Sequence, residues 1–183
     1  MGVAYKNFWS LNTDEAVVAG ILRNKTKKDI EVLTPLNAQM KWVDLYLINI
    51  KNKKTVTIQV KGSRAYEPSK KERSKYGQGS AGWYFFSTKI ISKATADYFA
   101  FLVYVIEEDG KIGRRVIEPH LILIPTKELQ KYCLKSKTPH GKKRYSFLIW
   151  VNPATKEAFD FRDKIIDFSK FLDIKGIKSI KGL

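Results

Sequence analysis

The 183-residue sequence contains little cysteine and histidine, and it has none of the common catalytic motifs built on them. Its single cysteine, Cys133, excludes an intramolecular disulfide and a cysteine-rich zinc site. Its two histidines, His120 and His140, stand alone, without a second histidine or cysteine at metal-ligand spacing. The chain also has no glycine-rich phosphate loop and no Ser-His-Asp order. We therefore expect both histidines to be structural or surface residues, and Cys133 to lie in the core.

Signals for a membrane or for export are also absent. The longest apolar stretch covers residues 98–106, about half of the ~20 residues that a membrane-spanning helix needs. The first residues carry no apolar signal core. These observations predict a soluble, cytoplasmic protein that does not contact a membrane.

The sequence is instead rich in basic residues. Its 34 Lys and Arg residues against 18 Asp and Glu give a formal net charge of +16. A hydrophobic content of 44% with 13% aromatics is sufficient for a packed core, and the length suits one domain, residues 1–183. Such a charge makes a polyanion the expected partner, most often a nucleic acid such as DNA.

The hydrophobic pattern predicts a mixed α/β (α+β) domain with a central mixed β-sheet flanked by helices. The predicted strand at 97–106 is apolar from residue 98 onward, which is typical of a central strand. Glycine and lysine dominate residues 62–82, which predicts a loop. The predicted helices are 13–24, 125–135 and 163–172, and the predicted strands are 30–33, 42–50, 55–61, 83–87, 97–106, 117–124 and 145–151.

Residues 42–61 have the pattern of an antiparallel hairpin. An even-length loop at its centre gives a register in which the numbers of paired residues sum to 105, so that Asp44 faces Lys61. Because directly opposed residues project from the same face, Asp44, Gln59 and Lys61 would share one face near the open end. A one-residue bulge would break this register.

Two interpretations of this group remain open. Mg²⁺ takes oxygen ligands, which the Asp44 carboxylate and the Gln59 amide can offer, while Lys61 can orient water or neutralise a phosphate. Alternatively, Asp44 and Lys61 form an ordinary cross-strand ion pair, with Gln59 hydrogen-bonded nearby.

The residues themselves resemble a known family. A helix with an early acid, the segment Val43-Asp44-Leu45-Tyr46-Leu47 and the segment Ile58-Gln59-Val60-Lys61-Gly62-Ser63 are similar to the PD-(D/E)XK nuclease superfamily. The resemblance covers residues 13–63, about a quarter of the chain. It implies a restriction-endonuclease-like core: an α-helix, a β-meander that contains the active site, a further helix and more strands.

The resemblance also implies roles for individual residues. Asp44 would bind Mg²⁺ or Mn²⁺, with the backbone carbonyl of Val60 completing the metal shell. Gln59 would occupy the (D/E) position and Lys61 the lysine position. Glu15 would be the helix acid, contacting the metal through water.

The sequence departs from the family pattern at two positions. Val43 replaces a variable proline. Gln59 replaces an acid, which removes one negative charge from the metal site, although some members are similar in carrying a Q-x-K form. The predicted function is a metal-dependent DNA endonuclease. The alternatives are a catalytically inactive nucleic-acid-binding module on the same fold, and an interaction protein in which the hairpin carries only an ion pair.

Two basic segments are candidate DNA contacts, because each follows or flanks a predicted strand and carries many unbalanced cations. Cutting both strands of DNA needs two active sites, so a homodimer or a higher homo-oligomer is expected. The aromatic residues 83–86 are predicted to be buried in a strand. The candidate DNA-binding residues are Arg64, Lys70, Lys71, Arg73 and Lys75 in the first segment, and Lys142, Lys143 and Arg144, with Lys135 and Lys137 upstream, in the second.

Overall fold

The computed structural model describes residues 13–35, 42–109, 113–139 and 143–181, which form five helices and nine strands. None of the helices in these ranges is long and apolar enough to cross a bilayer. The helices are α1 (Thr13–Lys25), α2 (Lys70–Tyr76), α3 (Thr88–Ser92), α4 (Thr126–Ser136) and α5 (Asp173–Lys178). The strands are β1 (Ile30–Leu33), β2 (Leu45–Asn49), β3 (Thr55–Gly62), β4 (Ser80–Ser87), β5 (Tyr98–Asp109), β6 (Arg114–Pro125), β7 (Arg144–Asn152), β8 (Glu157–Asp160) and β9 (Ile166–Asp167).

The larger sheet has five strands in the order β1-β2-β3-β5-β6. β3 and β5 run parallel and the other neighbours run antiparallel, so the sheet is mixed. β5 is an inner strand, and its residues from Phe99 to Val103 are fully buried. Burial on both faces is what a continuous apolar strand requires, and this part of the sequence prediction is confirmed.

The two faces of the larger sheet carry different cores, because alternate residues of a strand point to opposite faces. Ala100 and Leu102 of β5 pack in an aliphatic core with Val18 and Leu22 of α1. Phe99 and Phe101 pack in an aromatic core shared with the second sheet, β4-β7-β8-β9, and with α4. The predicted mixed sheet with flanking helices is therefore present.

The prediction of a loop over residues 62–82 is wrong, because the segment contains α2 and the start of β4. The helix begins with a capping box: the Ser69 hydroxyl accepts from the Glu72 N–H, and the Glu72 carboxylate accepts from the Ser69 N–H at 2.8 Å. This Ser-x-x-Glu pattern is visible in the sequence and marks a helix start.

The prediction of a helix over residues 163–172 is also wrong. Ile166 instead pairs with Asp160 of β8, and the Phe168 N–H donates to the Ala158 carbonyl. A 3₁₀ turn follows at Ser169–Phe171, and helix starts again only at Asp173. Pairing to β8 therefore overrides the local helical pattern.

Candidate metal centre and nucleic-acid interface

β2 and β3 form the predicted antiparallel hairpin, but two residues away from the predicted register. Leu45 faces Ile58, so the numbers of paired residues sum to 103, and the predicted opposition of Asp44 and Lys61 is wrong. The cause is the turn. The Asn49 side chain accepts from the Lys51 N–H at 3.0 Å and closes the turn earlier than an Asn-Lys centre would.

A β-bulge places Asp44 at the open end of this hairpin. The Asp44 N–H donates to the Ile58 carbonyl at 2.9 Å, and Leu45 also faces Ile58, so two residues of one strand oppose one of the other. The Asp44 carboxylate accepts from the Val60 N–H at 2.7 Å. Because the N–H and C=O of one strand residue point to the same side, the Val60 carbonyl shares this edge with Asp44. The Asp44 carboxylate thus lies against the strand edge that bears the other predicted ligand, the Val60 carbonyl.

Gln59 and Lys61 lie on one face of β3, as predicted. They pair in parallel with Phe99 and Phe101 of β5, whose rings face the aromatic core. Gln59 is only 6% exposed, and its Oε1 has no hydrogen-bond donor among the described residues. A buried oxygen without a donor costs about 1–3 kcal/mol, and a cation or a water would remove that cost.

Glu15 lies on the other side of the sheet. It belongs to the buried stripe of α1 that also contains Val18 and Leu22, and this stripe packs on the aliphatic face with Val60. The sheet therefore stands between Glu15 and the pair Gln59 and Lys61. The four predicted catalytic side chains do not share one face.

Asp14 is a site residue that sequence reasoning missed. Its Oδ1 accepts from the Tyr104 hydroxyl at 2.9 Å, and its other oxygen lies so close to Gly62 that a Cβ there would collide with it. Burial, together with the Asp14 carboxylate, raises the pKa of Tyr104 to about 12. Asp14, Gly62 and Arg64 line an open cleft of about 480 Å³ at the end of β3. The sequence by itself marks Asp14 only as an acid in the first turn of α1, where a negative charge favours the helix dipole.

The described candidate DNA contacts are largely unneutralised, and those around α2 form a basic surface. Apart from Lys137, all are exposed except Arg73, which is half-buried, and none of them forms an ion pair with a carboxylate in the described ranges. α2 is held on the outer face of the second sheet by Tyr76, whose ring centroid is 4.5 Å from that of Phe161. Lys142 and His140 lie outside the described residues. The basic surface consists of Arg64, Lys70, Lys71, Arg73 and Lys75, whereas Lys143 and Arg144 lie at the other end of the β4–β7 pair.

Lys137 does not belong to this surface. Its side chain is fully buried, with Nζ 2.7 Å from Asp160 and 3.0 Å from Asp163. A lysine held by two carboxylates in the interior cannot reach a phosphate, so its inclusion in the second basic segment is corrected.

The aromatic run at 83–86 is only half buried. Tyr84 and Phe86 point into the aromatic core, as predicted, but Trp83 is 49% and Phe85 59% exposed, because strand residues alternate between faces. The Trp83 and Phe85 ring centroids are 5.3 Å apart, and the Arg162 guanidinium lies over Trp83. The backbone N–H of Trp83 donates to the Ser63 hydroxyl at 2.8 Å, which joins this aromatic pair to the end of β3.

Cys133 is buried on α4, as predicted for a core residue. Burial raises the pKa of its thiol to about 12, despite the opposing effect of Lys137. A thiol with so high a pKa is a poor nucleophile.

Comparison with protein-family models, curated proteins and solved structures finds no match to this chain.

Proposed function

We propose that this chain is a metal-dependent DNA endonuclease that hydrolyses phosphodiester bonds with Mg²⁺ or Mn²⁺. The observation that carries the proposal is the hydrogen bond from the Val60 N–H to the Asp44 carboxylate, which holds that carboxylate against the backbone edge that also bears the Val60 carbonyl. Oxygen ligands of these two kinds suit Mg²⁺. The order helix, three-stranded meander, helix and further strands also agrees with the nuclease fold that the family resemblance implies.

Asp44 and the Val60 carbonyl would hold the ion, and Gln59 offers a buried oxygen beside Val60 in the chain. A bound divalent cation supplies positive charge to the phosphate under attack. Lys61 neutralises the charge that builds on the phosphate oxygens. Water adds to phosphorus, the bond from phosphorus to one sugar oxygen breaks, and a proton passes to that leaving oxygen.

The basic surface and the aromatic pair next to it support DNA as the substrate. α2 presents Lys70, Lys71 and Lys75 to solvent, and Trp83 and Phe85 offer exposed rings to unpaired bases. Each phosphate contact lowers the slope of log K against log salt by about 0.9. We further propose a homodimer, since cutting both strands requires two sites.

The test is nicking of plasmid and branched DNA in Mg²⁺ or Mn²⁺. We expect Asp44→Asn and Lys61→Ala to lower the cleavage rate at least about 100-fold, the effect of losing one charge-stabilising group. Asp44→Asn retains an oxygen that can accept from Val60, so the fold is kept. Glu31→Gln, an exposed acid on β1, is the matched control and should cut normally. Failure of the parent protein to nick any DNA, or full activity of Asp44→Asn, contradicts the proposal.

A second candidate is a DNA-binding module without catalysis. It is favoured by the neutral Gln59 and by the position of Glu15 across the sheet from Lys61. Tight, salt-dependent DNA binding without cleavage and without heat of Mg²⁺ binding would select it. Gln59→Glu separates the two cases further, because a gain of Mg²⁺ affinity shows that the ligand geometry is intact.

A further inference from the structure

Three ligating side chains meet on the β5–β6 hairpin, where it continues beyond the last residue of β3. His120 pairs with Val103, and Glu118 pairs with Val105, while Glu107 stands two residues further along β5. All three side chains therefore project from the same face. Their ligand atoms lie within 4.8 Å of one another, and His120 Nε2 is 4.0 Å from a Glu118 oxygen.

The two ring nitrogens of His120 have different environments. Nδ1 lies 2.9 Å from Asp173 Oδ2, and the other Asp173 oxygen accepts from the Leu121 N–H at 2.9 Å. Nε2 is shielded from solvent and has no hydrogen-bond partner among the described residues. Because an ionised carboxylate only accepts, Asp173 fixes the proton of a neutral ring on Nδ1 and leaves the Nε2 lone pair free.

The groups near this lone pair are hydrogen-bond acceptors when ionised, so they cannot donate a hydrogen bond to it. Its neighbours Glu107 and Glu118 are carboxylates, which attract a positive charge. A carboxylate on the far nitrogen of a histidine is the usual arrangement behind a metal-ligating histidine. Burial lowers the pKa of His120, but Asp173, Glu118 and Glu107 together raise it above its ordinary value, which shows the negative potential here.

We propose that His120 Nε2, Glu107 and Glu118 bind a transition-metal cation of the Zn²⁺ class, with Asp173 as a positioning residue. An imidazole with two carboxylates suits Zn²⁺ better than Mg²⁺, which prefers oxygen alone. Zn²⁺ bonds to nitrogen and oxygen are about 2.0–2.2 Å, so ligand atoms 4.0 Å apart need only a small approach to share one ion. Three protein ligands leave one coordination position open.

The site is independent of the proposed nuclease centre. Its ligands stand on β5 and β6, whereas Asp44 and Lys61 belong to the β2–β3 hairpin. In the sequence His120 appeared isolated. In the structure its partners are Glu107, which lies 13 residues earlier in the sequence, and Asp173, which lies 53 residues later.

The test is binding of Zn²⁺ to chelator-treated, full-length protein at pH 8, followed by calorimetry and by thermal unfolding. We expect one tightly bound ion per chain at this site, besides any ion at the Asp44 centre, and a rise of about 5 °C or more in the unfolding midpoint. Co²⁺ should give an absorption band typical of mixed nitrogen and oxygen ligands. His120→Ala and Glu118→Gln should each weaken binding at least about 100-fold, and Asp173→Asn about 10–100-fold.

Controls separate this site from others. Glu118 is largely exposed, so Glu118→Gln keeps the fold even where His120→Ala does not. Glu128→Gln, an exposed acid on α4, and Asp44→Asn should bind Zn²⁺ like the parent. Absence of Zn²⁺ binding by the parent, unchanged affinity in Glu118→Gln, or loss of binding in Asp44→Asn would each overturn the proposal. In the first case His120 would be a protonated ring held among carboxylates.

Discussion

Two buried polar regions of this molecule differ in how completely their atoms are paired. Around Asp160, the carboxylate accepts from the Lys137 ammonium, the Tyr132 hydroxyl and the Leu148 N–H. At the end of β3, Gln59 Oε1 is equally buried but has no donor in the described part of the chain. The first region is complete as it folds. In the second region, folding leaves the Gln59 oxygen without a hydrogen-bond donor from the described residues.

This difference has an energetic meaning. Charges leave water at a large cost, which close pairing and additional hydrogen bonds offset. The Asp160 region meets this condition, with both the Lys137 and the Asp160 side chains at 0% exposure. A buried oxygen without a donor carries a penalty, and binding of a cation or water would recover it. Complete pairing suits a structural role, whereas an unpaired buried oxygen can be satisfied by a ligand or by water.

The largest effect is expected from breaking the complete region. Lys137→Met leaves Asp160 as an uncompensated buried charge and should lower the free energy of unfolding by about 3–5 kcal/mol. Urea unfolding followed by circular dichroism measures this change. Lys143→Met, an exposed lysine, is the control and should stay within about 0.5 kcal/mol of the parent. A loss below about 1 kcal/mol for Lys137→Met would show that the pair is not structural.

The next effect concerns Cys133, which lies beside the complete region. With a thiol pKa of about 12, only about one molecule in ten thousand is ionised at pH 8, so alkylation by iodoacetamide should be very slow. The rate should rise about tenfold per pH unit between pH 8 and pH 11 while the protein stays folded, because the thiolate fraction rises in that proportion. Mass spectrometry of timed samples measures it, with urea-unfolded protein as the fast control. A rate that levels off below pH 9 would contradict the raised pKa.

The smallest effect, with the opposite sign, is expected from the incomplete region. Gln59→Met removes the unpaired oxygen at nearly constant volume, so the free energy of unfolding should stay the same or rise by about 1–2 kcal/mol. Urea unfolding without divalent cations measures it, beside Lys137→Met. A loss above about 2 kcal/mol would mean that Gln59 is paired in solution, and the contrast between the two regions would disappear.

Local signals in the sequence were sufficient for most of the framework. α1, β1 and the buried β5 were predicted because caps and apolar patterns act within a few residues. The register of β2 and β3 was not, since a shift of two residues leaves every side chain on its own face and the hydrophobic pattern unchanged. Only the Asn49 turn and the bulge at Asp44 distinguish the two registers.

The candidate sites depend on contacts that local patterns do not contain. Glu15 had an early position on the helix that matches a catalytic acid, but the packing of α1 decides which face of the sheet it meets. Asp14 is a candidate site residue only because the fold places Gly62 and Tyr104, which are distant in sequence, beside its carboxylate. His120 was isolated for the same reason, since Asp173 comes from the far end of the chain.

The parallel pairing of β3 with β5 also differs from the β2–β3 hairpin in how long a loop must close before the strands can pair. The β2–β3 hairpin needs only a short turn, so its strands pair by closing a small loop. Gln59 meets Phe99 across 40 residues, and closing so long a loop is slow compared with closing a turn. The contact between Asp44 and Val60 therefore requires a much smaller loop to close than the pairing with β5 beside Gln59.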